Sequence, residues 1–407
     1  MLHSLAWKSL LARKVTVCLT VISISISILV LLAIQHIRID AKTNFTNTVS
    51  GVDLIVGART GQLNLLLYSV FRIGNATNNI SWDSYIKLSE QKQVAWTIPL
   101  SLGDSHKGFR VLGTTEAYFE HFQYANQRPL ALSQGRAFAN TFEAVLGRDV
   151  ARRLGYKVGD SIILAHGIGS KSFSQHKHNP FTIVGILTPT GTPIDQTVHV
   201  RLDGLEAIHK GWQSGVDLSQ HRKPLSNQDL TPSSITAFMV GLNTKLATFT
   251  FQRKVNQFNS EPLLAILPGI ALSELWRMMA MFEKVLMMIS WLVLLAALIG
   301  LSTMMLAAMR ERRHEFMVLR AIGARPLFIF LLVQVEALLI VVFSIAAAVL
   351  ALSAGLWLSQ ELLMSTFGVS VSPWTLSKDV LMPIGLTLLI TIVTSVLPAG
   401  LAYRDSR

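Results

Sequence analysis

Apolar positions along this chain fall into two patterns. Near the N-terminus and beyond about residue 280 they form unbroken runs; in between they alternate with polar residues over short stretches. The unbroken runs predict four helices, at about 15–37, 285–309, 327–357 and 380–397. Each is near the roughly 20 apolar residues that a hydrocarbon layer requires. In the first run Ser23-Ile24-Ser25-Ile26-Ser27 mimics a strand, but the apolar length around it decides for a helix. On that helix Ser23 and Ser27 share a face, suited to close packing or a hydrogen bond across to a neighbour. The third run is longer than a span needs, so it tilts or extends. The fourth carries Pro383 near its start and ends at Pro398. Ahead of the first run, Leu2, Leu5, Trp7, Leu10 and Leu11 with Lys8, Arg13 and Lys14 predict an amphipathic helix over 1–14, lying along a membrane surface. The run is too long for a cleaved signal peptide, and Gln35-His36-Ile37-Arg38 is a poor cleavage site.

The alternating middle predicts strands at 109–113, 161–164, 181–187, 197–200 and 237–240, helices at 143–154 and 244–256, and a helix start at 115–119. Strands mixed with helices over residues 38–280 predict an α+β domain large enough to bury its own core. The fold class is therefore an α-helical membrane protein with four transmembrane helices. A large α+β domain is inserted between the first and the second, and a helical domain over 281–407 follows.

Composition agrees: the chain is 51% hydrophobic and 15% charged, against about 25% charged in soluble domains. The net charge is +12, and its placement matters more than its size. Residues 1–14 carry +3, residues 310–325 carry +3 and the last five carry +1. Positive charge is retained on the cytoplasmic side, which puts both termini and the 310–325 turn inside and residues 38–280 and 358–379 outside. The basic balance is a topology signal and does not point to nucleic acid. Trp291, Trp357 and Trp374 fall near the predicted interfaces. The single cysteine, Cys18, excludes an intrachain disulfide and a multi-cysteine metal site.

Chemistry concentrates in the 310–325 turn. Arg312, Arg313 and Arg320 are suited to pairing with acidic groups on a cytoplasmic partner, and Phe316, Met317 and Leu319 to filling an apolar groove on it. Gly323 lets the chain leave its helix before Pro326 starts another. A plain positive-inside loop is the alternative, but it has no need of a Phe-Met-Val-Leu run. Glu336 falls inside the third span, where an ionisable group needs a partner. A packing hydrogen bond, to Ser302, Thr303 or the serines of the first span, is the favoured reading; a proton relay is the other. His176 and His178 have spacing that suits zinc, but no further ligand is fixed, and an exposed loop is favoured. Asp53 and Asp195, next to glycine-containing turns, read as turn formers. No Walker A, Gly-x-Ser-x-Gly or His-Glu-x2-His sequence occurs, and Gly167–Ser172 lacks phosphate-loop spacing.

The run from Arg312 to Ala324, with Glu315 and then Arg320-Ala321-Ile322-Gly323-Ala324, resembles the FtsX/MacB permease family. Further motifs carry the resemblance: Glu143-Ala144-Val145-Leu146-Gly147, then Leu154-Gly155-Tyr156-Lys157-Val158-Gly159-Asp160, then Phe181–Leu187, and the ending Pro398-Ala399…Arg404. One departure is Phe316-Met317, where the family often has Ile-Gly. The resemblance implies a MacB-like periplasmic core domain and an FtsX-like permease domain in the bacterial inner membrane. It also implies the permease subunit of an ABC transporter, dimerising and working with a dimer of cytoplasmic ABC ATPases. The chain itself then takes no cofactor and is no enzyme; ATP and Mg belong to the partner ATPase. Mechanotransmission to the periplasmic domain would serve export or periplasmic substrate handling, with an adaptor or binding protein as a further partner. The alternatives are a mechanical regulator of a periplasmic cell-wall hydrolase and a membrane-anchored binding protein without a motor. In the implied mechanism the coupling residues are Arg312, Arg313, Glu315, Phe316, Met317, Leu319, Arg320 and Gly323.

Overall fold

The computed structural model describes residues 2–125, 127–166, 179–209, 212–213, 216–217, 230–367 and 378–405. The chain divides into two compact units. One holds residues up to Ala41, Met279–Glu361 and the C-terminal helix; the other is centred on Lys42–Met278.

The first unit is helical. A short helix, Leu2–Ala12, turns at Arg13 into a 34-residue helix, Lys14–Asn47. After the second unit come Pro268–Glu311, a nine-residue helix Arg313–Ala321, then Pro326–Phe367 and Lys378–Asp405. Four of these are long and apolar enough to cross a membrane. The second begins well before residue 285: the residues from Pro268 onward and the predicted span form one continuous helix. The last does not stop at Pro398. It runs through Pro383 and Pro398 to Asp405, although each proline removes a backbone donor.

Packing among these helices is carried by one stripe of each. Ile24, Ile28 and Leu31 of the first are buried, as are Leu294, Leu298 and Leu301 of the second and Ile329, Val333 and Ile340 of the third. Thr387, Thr391 and Ser395 form a buried polar stripe on the fourth, each hydroxyl bonded to a carbonyl one turn back. Ser395 also donates to the Gln334 side chain at 2.7 Å. Of the two roles read for the serine face, Ser27 fits close packing: it is buried and bonds back to the Ser23 carbonyl. Between the first and third long helices a bond comes from Ser344, to the Val21 carbonyl. At the other end Arg38 donates to Glu283 at 2.7 Å.

The second unit is built on an eleven-stranded mixed sheet among the described residues. The order of its main path is Leu263–Ile266, Leu54–Ala58, Ala237–Leu242, Val94–His106, Phe109–Thr114, Thr197–Arg201, Glu143–Leu146, Phe181–Leu187 and Leu132–Gly135. Val94–His106 is the shared strand. It pairs antiparallel with Ala237–Leu242 along its first part and with Phe109–Thr114 along its second, with a register break between Leu102 and Ser105. Two pairings are parallel, Thr197–Arg201 with Phe109–Thr114 and Phe181–Leu187 with Glu143–Leu146.

The predicted strands at 109–113, 181–187, 197–200 and 237–240 are present, and 161–164 shortens to Ser161–Ile162. The helix predicted over 143–154 is a correction. Glu143–Leu146 is a strand and only Arg148–Leu154 is helical, ending at Gly155 in the left-handed region. Ala144, Val145 and Leu146 are wholly buried between two neighbouring strands. At Gly147 a Cβ would lie 2.2 Å from the Ile194 carbonyl oxygen, so this crossing admits only glycine.

Candidate functional site

The helical unit gathers its charge at two places where the chain breaks direction. Arg13 separates the first two helices, and Arg312 separates Pro268–Glu311 from the nine-residue helix. Both side chains reach the same carboxylate, Glu336 of the third long helix. Arg312 Nη1 donates to Oε1 at 3.0 Å and to Oε2 at 3.2 Å, while Arg13 Nη2 donates to Oε2 at 3.3 Å. The Glu336 side chain is only 3% exposed. The two guanidinium groups satisfy the lone pairs of this enclosed carboxylate where water cannot.

The hydrogen bond expected from Ser302 or Thr303 is therefore corrected. Ser302 bonds to the Leu298 and Thr394 carbonyls, and Thr303 to the Gly300 carbonyl. Long arginine stems from the two breaks reach Glu336 instead, and an ion pair satisfies a buried carboxylate better than a hydroxyl does. Sequence reasoning counted Arg13 toward topology and the amphipathic first helix, not as a partner of Glu336. The signal that singles it out is its position, a cation at a helix break in a chain with an intramembrane carboxylate to neutralise.

Arg312 is the hub. Its Nε also donates to Glu315 at 2.7 Å, and its guanidinium lies 5.0 Å from the centroid of the Phe316 ring. Phe316 is thereby turned inward and buried. Leu319 is half-buried, whereas Met317, Val318, Arg320 and Ile322 are exposed. So of the apolar residues read as facing a partner, Met317 is presented outward and Phe316 is not; Val318 and Ile322 join it. Arg313 lies in this helix, and nothing is described of its side chain. Gly323 takes φ 96°, which an L side chain rarely adopts, and Pro326 opens the next helix.

In the other unit the charged groups satisfy one another. Arg136 grips Glu143 with two bonds, at 2.8 and 2.5 Å, and the Ala139 and Asn140 amides donate to the same carboxylate. Its pKa falls well below the usual carboxylate range, chiefly through Arg136. Arg201 joins Asp203 and Glu116. Asp195 accepts from the Thr190 and Gly191 amides and closes that backbone turn; Asp53, read as a turn former, instead accepts from the Leu242 amide at the end of the strand paired with Leu54–Ala58. His176 and His178 lie outside the described residues. Among the described residues no cluster of three or more His, Cys, Asp or Glu side chains is arranged to hold a metal.

Residues 17–252 match the family described as MacB-like periplasmic core domain, and residues 287–406 match the FtsX-like permease C-terminal family. The chain belongs to the MacB/FtsX-like permease family. Two solved structures are similar. The periplasmic region of MacB from Actinobacillus actinomycetemcomitans has 11% identity and a TM-score of 0.36, covering 56% of this chain and 94% of that one. The extracellular domain of the noncanonic ABC-type transporter YknZ from Gram-positive bacteria has 10% identity and a TM-score of 0.32, covering 53% of this chain and 98% of that one. No curated protein matches the chain. Family membership, with four helices able to span, makes this a multi-pass ABC-type permease subunit carrying a periplasmic-core domain. Subunits of this kind are generally not enzymes.

Proposed function

We propose that this permease passes motion from a cytoplasmic ABC ATPase dimer to its domain outside the inner membrane, using the helix Arg313–Ala321 as the contact. That domain is inserted between the first and second spans, and both termini are cytoplasmic. One observation carries the reading. This helix is fixed on one side and bare on the other: Arg312 and Phe316 bind it to the long helices, while Met317, Val318 and Ile322 stand 49%, 61% and 77% exposed. An apolar edge rimmed by Arg320 and Arg310 suits a groove with acidic margins on a soluble partner.

Two copies of this chain, each with one ATPase, would give the symmetric assembly in which nucleotide binding draws the two contact helices together. The continuous helix Pro268–Glu311 supports stiff transmission, because a force applied at Glu311 meets no break before Pro268. Binding and hydrolysis of Mg-ATP fall to the partner, and an adaptor or binding protein outside the membrane would determine what is handled.

The test is co-purification. A tagged chain extracted from its native membrane is expected to bring down an ATPase carrying a Walker A sequence, and the pair Met317→Asp and Val318→Asp to lose it. A double variant that kept its full ATPase complement would overturn the contact. Recovery of a cell-wall hydrolase in place of transport proteins would move the reading to regulation.

A further inference from the structure

The inner ends of Lys14–Asn47 and Pro268–Glu311 leave a cleft between them. It measures about 400 Å³, and its lining includes Arg13, Lys14, Thr16, Met304, Ala307 and Glu311. Its polar end and its apolar walls demand different things of an occupant.

At the polar end Arg13 is only partly used. Arg312 contacts both oxygens of Glu336, leaving Arg13 one bond at 3.3 Å, and the Arg13 Nε is buried with no hydrogen-bond partner. Lys14, the next residue, is exposed and forms no ion pair among the described residues. Two cations with donors to spare at one chain turn suit a phosphodiester, which offers two acceptor oxygens and one negative charge. The turn also lies where the apolar run begins, at the depth of lipid head groups.

The apolar requirement comes from the same face of the first long helix. Val15 lines the cleft, and above it Leu19, Ile22 and Ile26 follow at helical spacing, exposed by 64%, 49% and 58%. A free phosphate has no use for such a track; an acyl chain does. Glu311 on the cleft wall repels a second negative charge and attracts a cation. We infer that this cleft binds one phospholipid of the inner leaflet, its phosphate on Arg13 and Lys14, its ammonium toward Glu311 and its chain along Val15–Leu19–Ile22. The head group that satisfies all three is an ethanolamine phosphodiester. Such a lipid would brace Arg13, and through Glu336 the contact helix. The inference rests on the cytoplasmic placement of this turn proposed above.

Native mass spectrometry of the intact, detergent-purified chain tests it, with phosphatidylethanolamine and phosphatidylglycerol vesicles as lipid donors. The unaltered chain is expected to retain one phosphatidylethanolamine. Lys14→Glu should weaken retention about tenfold, the size of one charge-assisted contact, and the milder Lys14→Gln should weaken it less. Lys8→Glu, an exposed change in the preceding helix, should leave retention alone. Glu311→Gln should move the preference toward phosphatidylglycerol. Unchanged retention in both Lys14 variants, an unchanged preference in Glu311→Gln, or displacement of the lipid by millimolar inorganic phosphate would each overturn the inference. Because ATPase co-purification is read separately, a variant that keeps its ATPase while failing these lipid tests counts against the lipid site alone.

Discussion

Glu336 shows how one carboxylate decides the local chemistry of the helical unit. Removing it leaves two guanidinium groups facing each other in a largely enclosed place, a loss on the order of 3–5 kcal/mol for a broken buried pair. Glu336→Leu should therefore lower the thermal midpoint of the purified chain strongly. The pair Arg312→Met with Glu336→Leu should be less damaging than Glu336→Leu alone; an additive result would deny the coupling. In the other unit His199 and Asp195 make opposite demands on pH. Burial first, then Arg72, holds the His199 pKa down to about 3, with its Nδ1 against the Val145 carbonyl. Unfolded histidine titrates near 6.5, so the neutral ring stabilises the fold above that pH, and the contribution is lost as pH falls toward 3. Burial pushes Asp195 up to about 6, opposed by the Thr190 and Gly191 bonds and aided by nearby Asp149. Its contribution has the reverse sign: it is fully present below about 4 and is lost as pH rises through 6. Against the unaltered chain, His199→Gln should gain roughly 2–3 kcal/mol of stability on moving from pH 7 to 4.5. Asp195→Asn should lose on the same move. Denaturant unfolding at the two pH values reads both, and equal shifts of one sign would refute the assignment.

At the level of elements, the contact helix owes its shape to its two ends. Arg312 breaks the long helix and then anchors the short one by its Glu315 and Glu336 bonds. At the far end Gly323, with φ 96°, closes the Arg313–Ala321 helix by donating its N–H to the Arg320 carbonyl at 2.9 Å. A Cβ there would meet nothing within 4 Å, so the cost of a side chain is conformational and not steric. Gly323→Ala should lose roughly 1 kcal/mol, and Gly323→Asn less, since asparagine tolerates the left-handed region. Equal losses from alanine and asparagine in a denaturation series would argue for a hidden steric contact. The same logic separates Gly323 from Gly147, where the Ile194 and Asp195 carbonyl oxygens crowd the absent side chain and any substitution must move the turn at Pro193–Gln196.

For the whole molecule, the placement of charge and of apolar surface makes a topological prediction. The best 18-residue windows of the four candidate spans are only 22–39% buried within the chain, so most of their side chains need lipid or a second subunit as neighbours. Cys18 is the single cysteine, so Cys18→Ser gives a cysteine-free background. In it, a cysteine at Arg325 should react with a membrane-impermeant maleimide only after the cytoplasmic side is opened, and one at Lys157 should react from the outside. Labelling of position 325 from outside would invert the topology and remove the proposed ATPase contact.

What the sequence determined by itself was whatever depends on composition over a long window. Twenty apolar residues in a row specify a long helix regardless of neighbours, and Gly323 followed by Pro326 marks the end of one helix and the start of the next. The family was legible for the same reason, since its motifs are local in the chain. Only the tertiary structure decided the pairings and facings that depend on what packs alongside. That Arg13 meets Glu336 is one such pairing; that Phe316 turns inward while Met317 and Val318 stay bare is another. The strand Glu143–Leu146 is a third, its four residues drawn from a helix-like pattern by two neighbouring strands that bury them on both sides. A carboxylate's partner, a side chain's facing and a short strand's register are fixed by what arrives from elsewhere in the chain, and local preference is too weak to choose among them.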